Sequence, residues 1–90
     1  MARWKKPTKY EIFENRRTLA ERARTGDLKL PEAVADIRKG FGMTQEEFAK
    51  MLTLTRLQVA EIEAGSANPT LETLEKIGRL FGFSVGFVAK

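Results

Sequence analysis

The side chains best suited to chemistry stand at the starts of two short segments within residues 44–70, TQEEFAKMLTLTRLQVAEIEAGSANPT. Thr44 is followed three residues later by Glu47, and Thr55 by Gln58. This is the spacing of a capping box, in which each side chain satisfies a free backbone N–H group of a helix start. A helix start such as that at Gln45 offers free N–H groups and a partial positive charge, which can bind an anionic group such as a phosphate.

The composition disfavours covalent catalysis and metal binding. The 90 residues contain no cysteine and no histidine, which removes the thiolate, the usual general base and the commonest metal ligand. There is also no glycine-rich phosphate loop and no carboxylate pair placed for acid–base chemistry. We therefore predict no enzyme, no catalytic residue, no metal and no cofactor.

Length and hydropathy predict one small globular domain. Apolar residues make up 42% of the chain and charged residues 31%, which is ordinary for a globular protein. No apolar run approaches the roughly 20 residues of a membrane-spanning helix, and no apolar segment follows the charged N-terminus. We expect a cytoplasmic protein without a membrane partner.

Apolar spacing predicts that two short helices, joined by a tight turn, follow these capping boxes. Phe48 and Leu52 recur at helical spacing in the first segment. Val59 and Ile62 do so in the second, which Gly65 ends. Helices this short are not stable alone in water, so they must pack into a larger core. A helix–turn–helix whose second helix is polar on its outer side fits the major groove of DNA.

Three further helices are predicted around this motif. A capping box at Thr8 predicts a helix that runs to about Arg24, and Pro31 suits the first turn of the next helix. Residues 70–81 predict the last helix, with Leu71 on its inward face. The first of these helices has a narrow apolar stripe, which leaves two interpretations open. It is either a packing helix with a solvated basic face, or a surface for a protein partner or DNA.

Several motifs within residues 31–82 occur together in one known family. They are Ile37-Arg38-Lys39, Gly42-Met43-Thr44-Gln45-Glu46-Glu47-Phe48-Ala49, Ile62-Glu63, Gly65 and Asn68-Pro69-Thr70-Leu71-Glu72-Thr73-Leu74. In these motifs the chain resembles the lambda-repressor/Cro-like (Xre-type) helix-turn-helix family. The resemblance implies an all-α, lambda-repressor-like helix-turn-helix bundle, to which the residue patterns outside the motifs add an extra N-terminal helix and a short C-terminal β-strand that pairs across a dimer. It also implies a transcriptional repressor that binds double-stranded DNA sequence-specifically, as a homodimer on an inverted repeat.

The resemblance implies that the second helix of the motif reads bases with its outward side chains. The predicted base contacts are Arg56, Leu57, Gln58 and Glu61. An arginine at Arg56 can donate two hydrogen bonds to guanine, worth about 1–3 kcal/mol of discrimination; a plain surface arginine is the alternative. Leu57 suits a thymine methyl group, and Glu61 can accept from cytosine but repels phosphate elsewhere. Gln58 can cap the helix or reach adenine.

The predicted phosphate contacts lie at the helix starts of the motif and in the loop after it. They are Thr44, Gln45, Thr55, Ser66 and Asn68. In the family, the residue at the position of Gln45 hydrogen-bonds a phosphate, whereas capping its own turn is the alternative role of Asn68. The family often has an arginine–glutamate pair at the positions of Arg38 and Glu63, which implies a structural bridge between two core helices.

The turn of the motif departs from the family pattern. It reads Leu52-Thr53-Leu54, where the family commonly has glycine at the position of Thr53. A β-branched residue is disfavoured at positive φ, so we expect a turn that is strained or differently shaped.

Charge is divided unevenly between a basic N-terminal part (1–30) and the helix-turn-helix part (31–82). Residues 1–30 hold nine lysines and arginines against four acids, whereas residues 31–90 hold seven against eight. The basic arm before the first helix contains Arg3, Lys5 and Lys6. Phosphate neutralisation supplies most non-specific affinity for DNA. Either this N-terminal part helps to hold DNA, or affinity depends on dimerisation.

In residues 83–90 the spacing of apolar residues changes from helical to alternating, which predicts a dimerisation strand. Phe83, Val85 and Phe87 occupy alternate positions, and a lone strand needs a partner for its backbone groups. The same strand of a second copy, related by a two-fold axis, is such a partner. A frayed tail or a short final helix is the alternative, because two glycines weaken a strand.

This C-terminal pattern also resembles HipB-type antitoxins, in which two such strands form a ribbon at the dimer interface. That resemblance implies an alternative function for the chain. As the antitoxin of a toxin–antitoxin pair, it binds a toxin protein and autoregulates its operon, with the N-terminal helix and arm as the predicted docking surface. A toxin is thus a predicted partner beside DNA and a second copy of the chain.

Overall fold

The computed structural model describes residues 4–90, and within them the chain forms five α-helices and no strand. The helices are α1 (Lys9–Arg24), α2 (Glu32–Gly40), α3 (Gln45–Leu52), α4 (Arg56–Ala64) and α5 (Leu71–Phe81). The predicted all-α class with an extra N-terminal helix is confirmed. None of the helices in this part of the chain combines the length and apolar character that crossing a membrane requires. The predicted arm residue Arg3 lies outside the described residues.

Local hydrogen bonds explain where the helices begin. Three helices start with the predicted reciprocal capping boxes, which join Thr8 to Glu11, Thr44 to Glu47 and Thr55 to Gln58. In each box the carboxylate or amide oxygen accepts from the backbone N–H of the threonine at 2.8–2.9 Å. These starts are determined by residues three apart in sequence, and this is why sequence reasoning placed them correctly.

The core lies where α2, α3, α4 and α5 meet, and α1 packs against it from outside. Phe48 of α3 and Val59 of α4 are fully buried. The ring of Phe48 stacks on that of Phe81 in α5, with 5.5 Å between the centroids. From α1, Leu19 reaches the core cluster. The two short helices of the motif are therefore stabilised by packing rather than by their own length.

The prediction that Leu71 lies on the inward face of the last helix is wrong. Leu71 was expected in the core but is 62% exposed. Leu71 is the first residue of α5, and the residues that this helix contributes to the core cluster are Ile77 and Phe81, nearly two turns and more further along, so Leu71 lies beyond the edge of the core. The spacing of apolar residues predicts on which side of a helix a side chain lies, but it does not predict how far along the helix the neighbouring elements reach.

The turn between α3 and α4 has the left-handed backbone expected of a glycine. Thr53 has φ 59° and ψ 43°. The backbone N–H of Leu54 donates to the carbonyl of Ala49 at 2.9 Å, which completes the helix end. Thr53 thus has the backbone conformation of a glycine cap. Because a β-branched residue is disfavoured in that conformation, the turn has the expected strain.

The predicted C-terminal strand is not formed in this chain. Residues 83–90 have neither helix nor strand structure, and the single chain gives no support to pairing across a dimer. Phe83 instead folds back, because its backbone N–H donates to the carbonyl of Gly78 at 2.8 Å and its side chain packs against the core. Phe87 is wholly exposed. A strand requires backbone partners, and the alternating pattern offers none within one copy.

Candidate nucleic-acid interface

The outward face of α4 is accessible and begins with an arginine. The first turn of α4 contains no acidic residue, and its buried residues are Val59 and Ile62. The four predicted base-contact residues are all exposed on its other faces, namely Arg56, Leu57, Gln58 and Glu61. Val59 and Ile62 thus anchor the helix in the core, while the four predicted base-contact residues are open to solvent. Whether these side chains contact bases stays a prediction.

A buried ion pair fixes α4 against α2. Arg38 donates to Glu63 from Nε at 2.7 Å and from Nη2 at 3.0 Å. The two side chains are only 7% and 8% exposed. The remaining guanidinium nitrogen donates to the carbonyl of Met43 at 2.9 Å, so the charged group is satisfied on three sides. The arginine–glutamate bridge that the family resemblance implied is present.

Gln45 connects this buried pair to the recognition surface. Its Nε2 donates to Glu63 at 3.0 Å, and its Oε1 accepts from Nη1 of Arg56 at 3.3 Å. The predicted phosphate contact and the predicted base contact therefore touch each other at the entrance of α4. The sequence did not reveal this contact, because the two residues are eleven positions apart on different helices and no local pattern joins them.

The other predicted phosphate contacts are Thr44 and Thr55 at the helix starts and Ser66 and Asn68 in the loop after α4. The hydroxyls of Thr44 and Thr55 accept the capping N–H bonds at 3.1 Å. In the loop after α4, the hydroxyl of Ser66 donates to the carbonyl of Glu61 at 3.2 Å, and Asn68 is exposed. Binding of phosphate by these residues stays a prediction.

Gln58 takes the capping role that was one of its two alternatives. Its Oε1 accepts from the backbone N–H of Thr55 at 2.8 Å. A primary amide has two N–H donors besides its oxygen, so the cap leaves those donors for a further acceptor. The two roles weighed for Gln58 therefore use different atoms.

A notch of about 450 Å³ lies between the N-terminal arm and the motif. Its lining includes Trp4, Lys39, Thr44, Gln45, Glu46 and Arg56. Trp4 also lies beside Arg38, whose Cζ is 5.8 Å from the centroid of the indole ring. Neither Trp4 nor Lys39 was a candidate site residue, because a lone tryptophan in an arm and a lysine at a helix end have no pattern that marks them.

The arm is attached to the motif by a short ion pair. Lys6 Nζ lies 2.6 Å from Oε1 of Glu47. The hydrogen bond from Lys6, followed by those from Thr44, lowers the pKa of Glu47 to about 2. Glu47 is therefore ionised over the whole neutral range, and its charge is matched by the ammonium group beside it. Lys5, next in the arm, is exposed.

Comparison of the sequence with models of known protein families also indicates a helix-turn-helix. The family model described as Helix-turn-helix matches residues 34–88, more than half of the chain. The chain belongs to the helix-turn-helix family. The match spans most of α2, the motif, α5 and residues 83–88, whereas α1 and the arm lie outside it. The family inferred from the short motifs is confirmed.

Proteins similar to this helix-turn-helix chain are described as transcription regulators. Two are uncharacterized HTH-type transcriptional regulators of Archaeoglobus fulgidus, 40% identical over 48 residues and 36% identical over 52. These alignments cover 53% and 58% of this chain, and 69% and 73% of the relatives. A third is the SPbeta prophage-derived uncharacterized HTH-type transcriptional regulator YonR of Bacillus subtilis, 34% identical over 66% of this chain and 55% of that protein. No solved structure matches the chain with comparable significance.

Proposed function

We propose that this protein is a transcriptional repressor that binds double-stranded DNA sequence-specifically, as a homodimer on an inverted repeat. The observation that carries the proposal is the placement of Arg56. Its side chain stands at the exposed start of α4, where Gln45 accepts a hydrogen bond from the guanidinium. A planar donor fork at the tip of an exposed helix matches the two acceptors of guanine in the major groove. The names of the relatives support the coarser part of this proposal, a role in transcription regulation.

The other outward residues of α4 read neighbouring base pairs in this proposal. Leu57 contacts a thymine methyl group, and Glu61 accepts from the amino group of cytosine. Gln58 keeps its oxygen on the backbone of Thr55 and directs its amide N–H groups to an acceptor such as adenine N7. The three side chains give the recognition helix a preference beyond the single guanine of Arg56.

Phosphates on either side of these base pairs bind the capped helix starts and the loop after α4. At the start of α3, Thr44 and Gln45 combine polar side chains with the positive end of the helix. Thr55 does the same at the start of α4, and Ser66 and Asn68 contribute from the loop. Such contacts fix the register of the protein on DNA and leave the choice of sequence to α4.

The proposed homodimer forms through the C-terminal segment. Phe87 is wholly exposed, and Val85 and Val88 are 47% and 62% exposed. Pairing of residues 84–88 with their copy about a two-fold axis places Val85 and Phe87 on one face of a two-stranded ribbon and gives the backbone groups beyond Phe83 hydrogen-bond partners. Two α4 helices then enter successive major grooves about 34 Å apart, which requires an inverted repeat.

Selection of bound duplexes from a random DNA pool tests this function. The purified full chain is mixed with the pool at near-physiological salt, and the bound duplexes are recovered, amplified and sequenced over several rounds. We expect enrichment of an inverted repeat with half-sites one helical turn apart and a guanine in each half-site. A folded protein that enriches no sequence contradicts the proposal.

A second candidate function is that of an antitoxin, and the outer face of α1 favours it. Tyr10 and Phe13 are 73% and 59% exposed and share a helix face with Arg17, since they are three and four residues apart. Exposed aromatic and arginine side chains are the types enriched at protein interfaces. A groove of about 930 Å³ runs beside this face toward Phe83.

Co-purification with the product of the neighbouring gene tests the antitoxin function. We expect Phe13→Asp to abolish capture of that protein, while Leu57→Asp on the recognition helix leaves it unchanged. Equal capture by both variants and the wild type contradicts a role of α1 in binding, and no capture at all contradicts the antitoxin.

A further inference from the structure

The first turn of α3 has an acidic surface that is unfavourable for the proposed DNA contact. Glu46 and Glu47 both lie in it. Residues 31–90 as a whole hold seven basic against eight acidic residues. Acids at a helix start stabilise the helix, but they repel the phosphates that this turn meets in the proposed function. Positive charge must therefore come from elsewhere in the molecule.

The N-terminal arm brings that charge to α3. Lys6 pairs with Glu47 at 2.6 Å. Pro7 packs beside the turn that precedes α3, with its Cγ 3.2 Å from the position that a Cβ on Gly42 would occupy. The ring of Trp4 lies near the guanidinium of Arg38. Three successive contacts thus keep residues 4–7 along the start of the helix-turn-helix motif.

The arm and the motif together form the notch that adjoins Arg56. Trp4 is 40% exposed, and its indole group offers one N–H donor and no acceptor. The exposed side chain of Lys39 lines the same notch. Among the lining residues that the structure describes, Glu46 is the one acid, and Lys39 and Arg56 are the cations that no acid pairs with, because the charge of Arg38 is balanced by Glu63. This combination of donors and excess positive charge suits a phosphodiester backbone.

We propose that the arm and Lys39 extend the DNA-binding surface onto the phosphate backbone beside the half-site that α4 reads. Trp4, Lys5 and Lys39 contact phosphates. Lys6 is a positioning residue, which cancels the charge of Glu47 and holds the arm in place. The inference rests on the proposed function. In it, the arm adds affinity for DNA that does not depend on the base sequence.

Salt titrations of binding test the phosphate contacts. The affinity of each variant is measured by fluorescence anisotropy from 50 to 200 mM salt, on the duplex recovered by the pool selection and on an unrelated duplex of equal length. Lys5→Gln and Lys39→Gln should each reduce the slope of log affinity against log salt by about one, on both duplexes. Trp4→Phe should weaken both without changing the slope. Lys29→Gln, which changes an exposed lysine beyond the end of α1, should change nothing.

A double substitution tests the positioning role of Lys6. Lys6→Gln exposes the charge of Glu47, so it should weaken binding more than Lys5→Gln does. Glu47→Gln in the Lys6→Gln background should recover part of the loss, because glutamine keeps the capping oxygen and removes the repulsion. If Lys6 instead contacts phosphate directly, Lys6→Gln weakens binding by the same factor in the Glu47→Gln background as in the wild type, and equal factors overturn the positioning role of Lys6.

The outcomes separate this inference from the proposed function. If the wild type binds its selected duplex while Lys5→Gln and Lys39→Gln keep the wild-type slope, the inference is overturned and the proposed function stands. Tighter binding by the arm variants also overturns it, since the arm then shields the motif. If the wild type binds no duplex, both are overturned. Thermal melts of the variants, each changed at an exposed side chain, show whether the fold is intact.

Discussion

Glu63 is the residue on which the geometry of the interface depends most. Its carboxylate accepts two hydrogen bonds from Arg38 and one from Gln45, at 2.7–3.0 Å. Removing two charges from water offsets most of their attraction, so such a pair contributes little net stability. The role of Glu63 is to orient its neighbours. Its pair with Arg38 fixes α4 against α2, and Gln45, which bonds to Glu63, also bonds to Arg56.

Glu63→Gln tests the buried pair. It leaves the guanidinium of Arg38 buried without a counter-charge, so we expect the free energy of unfolding to fall by about 3 kcal/mol in urea denaturation. Glu21→Gln is the matched control, because Glu21 pairs with Arg24 at 3.1 Å on the exposed face of α1. That change should cost less than about 1 kcal/mol. Equal effects of the two substitutions contradict the assigned role.

The Lys6–Glu47 pair gives a prediction about pH. The pKa of Glu47 is lowered from its ordinary 4.5 to about 2. Its contribution to stability is therefore fully present above about pH 4.5 and is lost as the pH falls through about 2. In an NMR titration of the side chain, Lys6→Gln should raise the pKa of Glu47 toward 4.5, whereas Lys5→Gln should not. An unchanged pKa in Lys6→Gln means that the pair is absent in solution.

At the scale of elements, the turn between α3 and α4 stores strain that one substitution releases. Thr53 has φ 59°, a conformation that costs a β-branched residue about 1–2 kcal/mol. Glycine removes this strain, but it has more freedom in the unfolded chain and loses the exposed hydrogen bond that the Thr53 hydroxyl accepts from Lys76 at 3.3 Å. Thr53→Gly should therefore raise the free energy of unfolding by only about 0.5 kcal/mol. Urea denaturation measures the change.

Gly82→Ala is the mirror-image control for the turn. Gly82 has φ 86°, and a Cβ there would meet no atom within 4 Å, so the methyl group acts through backbone strain and, in the opposite sense, through the reduced freedom of the unfolded chain. It should lower the free energy of unfolding by about 1 kcal/mol. If Thr53→Gly destabilises the protein, the positive φ of this turn is not a source of strain.

Most of the helical framework was predictable because its signals are local. Capping boxes span three residues, and the buried positions of α3 and α4 recur at helical spacing, so sequence alone placed both helices of the motif. The C-terminal strand was not predictable in the same way, since a strand depends on a partner that the period does not reveal. In the single chain, the backbone N–H of Phe83 instead donates a hydrogen bond to the carbonyl of Gly78. The two backbones are so close that a Cβ on Gly78 would lie 2.4 Å from the carbonyl oxygen of Phe83.

The candidate site was predictable residue by residue but not as a network. Motif positions identified Arg56, Gln45 and the Arg38–Glu63 pair separately. Their connection arises only when α2, α3 and α4 pack, because Gln45 bridges side chains of two different helices. The place of Trp4 in the notch follows from the path of the arm, for which the sequence contains no periodic signal.

At the scale of the whole molecule, the proposed dimer depends on exposed apolar residues near the C-terminus. The chain has a mass of 10.2 kDa, and sedimentation equilibrium should give twice that mass. Phe87→Ser should shift the protein to the monomer without changing its helix content, because Phe87 makes no core contact in the single chain. Leu71→Ser, at another exposed apolar residue, should leave the dimer intact. A wild-type protein that stays monomeric at DNA-binding concentrations contradicts the proposed assembly.

The most direct test of the central claim is the affinity of Arg56→Lys for the selected duplex and for a scrambled duplex of the same composition. Lysine keeps the positive charge and loses the planar fork, so only direct base recognition is removed. We expect affinity for the selected duplex to fall roughly 10- to 100-fold while affinity for the scrambled duplex stays the same. Arg24→Lys, at the far end of α1, should behave as the wild type on both. Equal losses on the two duplexes, or no loss on either, contradict the claim that Arg56 reads DNA sequence.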